Sequence, residues 1–246
     1  GEKTFMTEAS VKLLFTLASV IATYGLLHFL DKRKFASLGM NLRKGAWREL
    51  FWGMLIGFVI LTAAVGAMAI LGYEDLHVAD EGSDYFAFGF LINIFLFIIV
   101  GFNEEILFRG YIFQSMIEGT NKIIAVAFFS LLFGAAHMAN PNASLFGVAN
   151  IVLAGILLSL AYLQTKSLWL PIGLHIGWNF TQGYIWGLPV SGTSVFKPLI
   201  IAKATGPEVI TGGAFGPEGG AAGRGRAHGV RRRDRRGGGG AARLHA

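Results

Sequence analysis

Six side chains, set in otherwise apolar stretches, have types and spacings that suit hydrolytic chemistry. Glu104 and Glu105 follow an uncharged apolar run and precede Ile106-Leu107-Phe108 and Arg109. His137 closes Phe133-Gly134-Ala135-Ala136-His137, and His175-Ile176-Gly177-Trp178-Asn179 carries the remaining pair. Carboxylates and imidazoles are the common general acids and bases, and fixed donors such as His and Asn can stabilise a developing oxyanion. The spacings are helical. Glu105 and Arg109 are four residues apart and share a face, where carboxylate and guanidinium can pair. Glu104 points about 100° away from Glu105, toward different neighbours, which suits it to acid–base work. His175 and Asn179 are also four apart and present two donors on one face.

The elements that position these groups must be membrane helices. The chain has 246 residues, of which 53% are hydrophobic and 15% charged, with no cysteine. A soluble domain would carry about a quarter charged residues. The absence of Cys excludes disulfide frameworks, thiol catalysis and Cys-ligated metal centres. Crossing the bilayer takes about 20 apolar residues, and uncharged runs occur at Leu13–Leu30, Leu50–Tyr73, Tyr85–Asn103, Ile123–Thr165 and Ser167–Phe196. Asn140-Pro141-Asn142 breaks the fourth run into two, so the expected fold is an all-α polytopic transmembrane bundle of about six spans. The first loop holds Lys32, Arg33, Lys34, Arg43, Lys44 and Arg48, whereas the second holds only acidic charges. The excess of basic residues predicts a cytoplasmic first loop and an external second one.

Helical arithmetic tests whether the polar groups can meet. A hairpin turning at Gly119-Thr120-Asn121 places Glu104 and His137 at one level, each about 25 Å from the turn. The third helix is too long for one perpendicular span and is expected to protrude or bend. His175 and Asn179 fall about 14–20 Å from the turn at Lys166, somewhat shallower. Taken singly, each group has a plainer reading. The Glu104–Arg109 cluster could be a structural ion pair, His137 a capping or core histidine, and His175 with Asn179 an interhelical hydrogen-bonding pair. Occurring together in three separate apolar segments, they point to a polar cavity, since ionisable groups inside a membrane are functional candidates by default. His28 and His77 have no such company. Trp47, Trp52, Trp169 and Trp186 are expected to mark the interfacial belts.

Glu104-Glu105-x-x-x-Arg109-Gly110, Phe133-x-x-x-His137 and His175-x-x-x-Asn179 together resemble the three-motif signature of the CAAX protease and bacteriocin-processing family. That family includes type II CAAX prenyl endopeptidases and bacterial abortive-infection and bacteriocin-immunity membrane proteins. The resemblance covers about residues 85–188. It implies an all-helical membrane fold and a glutamate-dependent intramembrane endopeptidase, here expected in a bacterial cell membrane. By that likeness Glu104 would activate the attacking water, with His137 sharing in its positioning and in proton transfer. Glu105 and Arg109 would pair to hold the first motif, and His175 with Asn179 would form the oxyanion hole. The implied partners are a hydrophobic or lipidated peptide or protein substrate and membrane lipids, with no nucleic acid.

The same residues leave a metal reading open, because two His and two carboxylates suit zinc. No His-Glu-x-x-His run is present and Glu105 is expected to pair with Arg109, so the metal-free mechanism is preferred and no cofactor is expected. Ser130, Ser144 and Ser159 lack a nucleophile-elbow setting. A non-proteolytic immunity or scaffold protein and a transporter or proton relay remain as readings of other classes.

Residues 1–218 are expected to form the transmembrane domain and 219–246 a disordered tail. The tail holds eight Arg and one Asp, against a net charge of +6 for the whole chain. The basic character therefore belongs to the tail alone and implies no acidic partner. Thr211–Gly220 looks like the loop that precedes a final membrane helix in the family. The Arg/Gly-rich segment after it is expected to be a frame-shifted or truncated end that replaces that helix. The first residue is Gly1, not Met, so an N-terminal piece is also expected to be missing.

Overall fold

The computed structural model describes residues 2–42 and 44–220. The expected tail lies outside the described residues from Ala221 onward, as does Arg43 of the first loop. The helices are α1 (Glu2–Gly25, continued by a π-turn, Leu26–Asp31), α2 (Ala46–Ile70), α3 (Ser83–Arg109), α4 (Tyr111–Gly119), α5 (Lys122–Ala136), α6 (Leu145–Thr165) and α7 (Trp169–Phe180). A π-turn at Thr181–Ile185 extends α7, and a short α8 (Glu208–Thr211) follows. Among the described residues five helical stretches are long and apolar enough to cross a membrane: Leu13–Asp31, Ala46–Ile70, Ser83–Gly119, Lys122–Ala139 and Leu145–Thr165. Their outer faces carry many exposed large apolar side chains, Phe51, Leu91 and Leu131 among them, as a lipid-facing surface requires. The protein is an integral, multi-pass membrane protein with an all-α bundle.

The last uncharged run behaves differently from the others. Of Ser167–Phe196, only Trp169 to Ile185 is helical, about 25 Å of axis. Pro171, Ile172, Gly173, Leu174, His175, Ile176 and Gly177 are all buried. α7 is thus a short central helix enclosed by the others, not a sixth lipid-facing span. It ends where Gly187, at φ +64°, turns the chain.

Glycine makes that enclosure possible. Gly53 and Gly57 of α2 face Gly173 and Gly177 of α7. A Cβ on Gly173 would sit 2.2 Å from the Leu50 carbonyl oxygen, and one on Gly177 would sit 2.2 Å from that of Met54. The two backbones touch, as small residues four apart permit in membrane helices. α7 also packs on α3, where Gly101 makes room for Ile176.

The long third helix bends as expected. It breaks at Gly110, where a Cβ would lie 2.0 Å from the Ile106 carbonyl oxygen, and α4 leads off to the turn. Asn121 caps α5 by accepting from the amides of Ile123 and Ile124 at 2.9 and 3.1 Å. Ser144 caps α6 by accepting from Gly147 N at 3.0 Å, following the break at Asn140-Pro141-Asn142. One element was not anticipated. β1 (Glu74–Val78), in the acidic second loop, pairs antiparallel with β2 (Ile200–Ala204), with Glu74 opposite Ala204 and Val78 opposite Ile200.

Candidate active site

α3 places Glu104 and Glu105 side by side with opposite surroundings. Glu105 and Arg109 are both completely buried. Arg109 Nη1 donates to Glu105 Oε1 at 3.1 Å, and Nη2 donates to the Gly155 carbonyl of α6 at 2.9 Å. Arg109 Nε reaches Ser159 Oγ at 3.4 Å, and that hydroxyl donates to Gly155 O at 2.8 Å. The guanidinium also lies 4.6 Å from the centre of the Phe133 ring, a cation–π contact within a protected site. Ser159 is therefore occupied in holding Arg109, and Ser144 in capping α6.

His175 joins this cluster from α7, its Nδ1 2.8 Å from Glu105 Oε1. A carboxylate oxygen that already accepts from Arg109 needs a donor there, so Nδ1 carries a proton and Nε2 faces the cavity. The second histidine is oriented in a parallel way. His137 Nδ1 lies 2.7 Å from the Phe133 carbonyl, which can only accept, so Nδ1 carries the proton and Nε2 is turned outward. Both Nε2 atoms then point at one oxygen. Glu104 Oε2 is 3.9 Å from His137 Nε2 and 3.7 Å from His175 Nε2, too far for direct hydrogen bonds. That oxygen is buried without a hydrogen-bond partner among the described residues.

These groups open on a cavity of about 320 Å³. Glu104, His137, His175 and Asn179 line it, with Leu96, Val100, Leu107, Phe108, Phe133, Ile151 and Leu158 supplying an apolar surface. Of the six residues singled out from the sequence, four thus share one cavity, and Glu105 and Arg109 lie behind them as their support. The level matching of Glu104 with His137 holds. His175 is deeper than its distance from Lys166 suggested, because the turn before α7 is sunk into the protein. Leu168 N donates to Gly39 O at 3.2 Å. Gly39, at φ +84°, approaches Ser167 so closely that a Cβ would lie 2.7 Å from its Cα.

Among the described residues no three His, Asp or Glu side chains are gathered as a metal ion would need. Both Nδ1 atoms are taken by protein acceptors, which leaves the two Nε2 atoms and Glu104 as the donors that any ion would share.

The opposite end of the cavity was not foreseen. Val190, Ser191, Thr193, Ser194, Val195 and Glu218 line it, all from loops after α7. The segment taken as a lead-in to a further helix instead folds back, burying Phe215 and Glu218. Asn93, in the middle of α3, was also passed over. It is fully buried and donates to Gly89 O at 2.7 Å and Phe196 O at 2.6 Å, tying the loop after α7 to α3.

Residues 85–181 match the family model described as type II CAAX prenyl endopeptidase, Rce1-like. The matched segment runs from the start of α3 to the end of α7 and holds all six motif residues. No curated protein and no solved structure gives a match to the chain.

Proposed function

Residues 85–181 place the chain in the Rce1-like family of CAAX-type membrane proteases, and from that premise we propose a glutamate-dependent intramembrane endopeptidase mechanism. The observation that carries the mechanism is the convergence of two outward-facing imidazole nitrogens on Glu104 Oε2, at 3.7 and 3.9 Å. A water held between them would donate a proton to Glu104 as its oxygen attacks the scissile carbonyl carbon. His137, neutral with a bare Nε2, orients that water and can exchange the proton. The oxyanion formed would accept hydrogen bonds from the Asn179 amide and from His175 Nε2 when that nitrogen is protonated. Collapse breaks the C–N bond, and the proton held by Glu104 or His137 passes to the leaving amine.

Glu105 has a different task. Tied to Arg109 and accepting from His175, it fixes the ring that would face the oxyanion, as the acid of a triad orients its histidine. The largely apolar cavity suits a hydrophobic or lipidated peptide within the membrane. A bacterial cell membrane and a metal-free reaction complete the proposal.

Cleavage of a panel of prenylated and unprenylated peptides, by purified protein in detergent or proteoliposomes, tests this reading. Wild type should cleave at least one peptide, and Glu104→Gln and His137→Ala should not. Chelator should leave the rate unchanged; abolition by chelator with recovery on adding zinc would overturn the metal-free mechanism. Cleavage that survives Glu104→Gln would remove the water activator. Protection of cells against a toxin that persists in an inactive Glu104→Gln protein would favour the scaffold reading.

A further inference from the structure

Glu218 belongs to none of the three motifs, yet its side chain lines the same cavity as Glu104, His137, His175 and Asn179. The residue is 8% exposed. Its Oε2 accepts from Gln182 Nε2 at 2.5 Å. Gln182 is fully buried, donates to the Pro189 carbonyl at 2.6 Å and accepts from Trp178 Nε1 at 3.0 Å. The main chain is clamped as well. Asn150 of α6 donates to the carbonyls of Glu218 and Gly220 at 2.8 and 3.1 Å. One carboxyl thus links the last described segment, the 189–195 loop and the residue next to Asn179 on α7.

A buried carboxyl is a costly way to tie loops together unless a cation compensates it. None does so here. Its hydrogen-bond partners Gln182 and Ser191 are neutral, as is Trp178. The titratable side chains on the elements around it are Tyr184 on the π-turn and Glu208 on α8, while Glu104, His137 and His175 line the same cavity. None is paired with it. Burial pushes the Glu218 carboxyl up to about 7, against hydrogen bonds that pull the other way.

We propose that Glu218 is a positioning residue of the endopeptidase, which acts through Gln182 to hold Trp178 and, with it, the Asn179 side of the oxyanion site. The proposal rests on the mechanism given above, in which Asn179 faces the oxyanion. It predicts a pH dependence of definite sign. The carboxyl rises from its ordinary value in the folded protein, so the arrangement is fully favoured below that value. It weakens as pH rises and is lost through about 7, because the ionised form sits in a wall without a cation.

Two readouts test it on the intact protein in nanodiscs. The first is tryptophan emission between pH 5 and 9, with the contribution of Trp178 isolated by subtracting Trp178→Phe. Wild type should show a Trp178-dependent transition near pH 7, and Glu218→Gln should not. A transition that persists in Glu218→Gln, or is missing from wild type, overturns the proposal. Should Glu218→Gln fail to fold, Glu218→Asp must move the midpoint, and an unmoved midpoint is equally fatal. The second readout is peptide cleavage. Glu218→Ala should lower kcat about tenfold or more with KM little changed, as expected for a displaced oxyanion donor. Normalised to pH 6, wild-type kcat should fall through about pH 7 in excess of any fall in Glu218→Gln; the same profile in both would overturn the role. The emission experiment needs no proteolysis. If wild type cleaves nothing, the endopeptidase reading fails while the Glu218–Trp178 coupling is still measured.

Discussion

At one end of the cavity, Glu104, His137, His175 and Asn179 ride on three membrane helices or their ends. At the other, Ser191, Thr193, Ser194 and Glu218 come from loops. The two ends are held by different means. At the helical end side chain is fixed by side chain, Arg109 to Glu105 to His175, with the guanidinium anchored on the α6 backbone. At the loop end side chains hold main-chain carbonyls: Asn140 donates to Ser191 O at 2.9 Å, and Asn150 to Glu218 O at 2.8 Å. The first arrangement fixes the direction of reactive atoms to a fraction of an ångström. The second fixes the course of a chain segment, and segments held in this way open more readily than packed helices. Chemistry therefore belongs at the helical end, and adjustment to a substrate at the loop end.

The largest effect expected from that division is on catalysis at the helical end. Glu104→Gln should keep the fold, because Oε2 has no hydrogen-bond partner to lose among the described residues. Its cleavage rate should nevertheless drop by about 10²–10⁴, the usual worth of a general base. An unfolded Glu104→Gln would break the comparison, since the residue would then be structural like its neighbour Glu105.

That contrast also explains what could be read from the sequence. A charge in an apolar run is conspicuous, because the membrane makes it expensive, so Glu104, Glu105, Arg109, His137 and His175 could be picked out and their levels matched by helix rise. Glu218 lies in Phe215-Gly216-Pro217-Glu218-Gly219-Gly220, where a charge is unremarkable, and nothing local shows that the loop folds inward. Asn93 was in plain view within an apolar run, but an uncharged amide gives a weaker signal. The Gly53/Gly57 and Gly173/Gly177 seam was present as a spacing, and it accounts for the error about α7. A helix that presents glycines to a neighbour is made for burial, whereas length alone suggested a span. The pairing of β1 with β2 joins strands more than a hundred residues apart with no alternating pattern to announce it.

Arg109 is the next place to press. Arg109→Met removes a buried cation that holds Glu105, the Gly155 carbonyl and Ser159, and leaves the carboxylate uncompensated. Breaking a buried pair from one side costs about 3–5 kcal/mol, to be measured by reversible denaturation in detergent micelles. The double variant Arg109→Met/Glu105→Gln should recover part of that loss. Failure to recover would mean that Arg109 stabilises through its contacts with α6 and Phe133, not through Glu105.

The glycine seam sets a smaller but sharper test. Gly177→Ala would put a Cβ 2.2 Å from the Met54 carbonyl oxygen, so α2 and α7 must move apart, at about 1–3 kcal/mol. Gly66→Ala, also on α2 but with nothing within 4 Å of its Cβ, should instead stabilise by up to about 1 kcal/mol. Because α7 carries His175 and Asn179, the seam variant should lose cleavage out of proportion to its stability. Equal responses from the two glycines would dissociate α7 placement from backbone contact.

The smallest effect belongs to the loop end. Asn150→Ala deletes two donors at once, to Glu218 O and Gly220 O. Each lost hydrogen bond is worth about 1 kcal/mol net, and the freed carbonyls lie near the end of the described chain, where water can replace the amide. Global unfolding should therefore shift by no more than about 2 kcal/mol, while limited proteolysis within Thr211–Gly220 should speed up, because only the local opening has become easier. Asn150 lies on α6 with the Gly155 that accepts from Arg109, so the variant also asks whether the two ends communicate through that helix. If they are independent, Arg109→Met and Asn150→Ala should add within about 0.5 kcal/mol. A larger coupling would show that the loop end and the catalytic end are one cooperative unit and not two walls built by separate means.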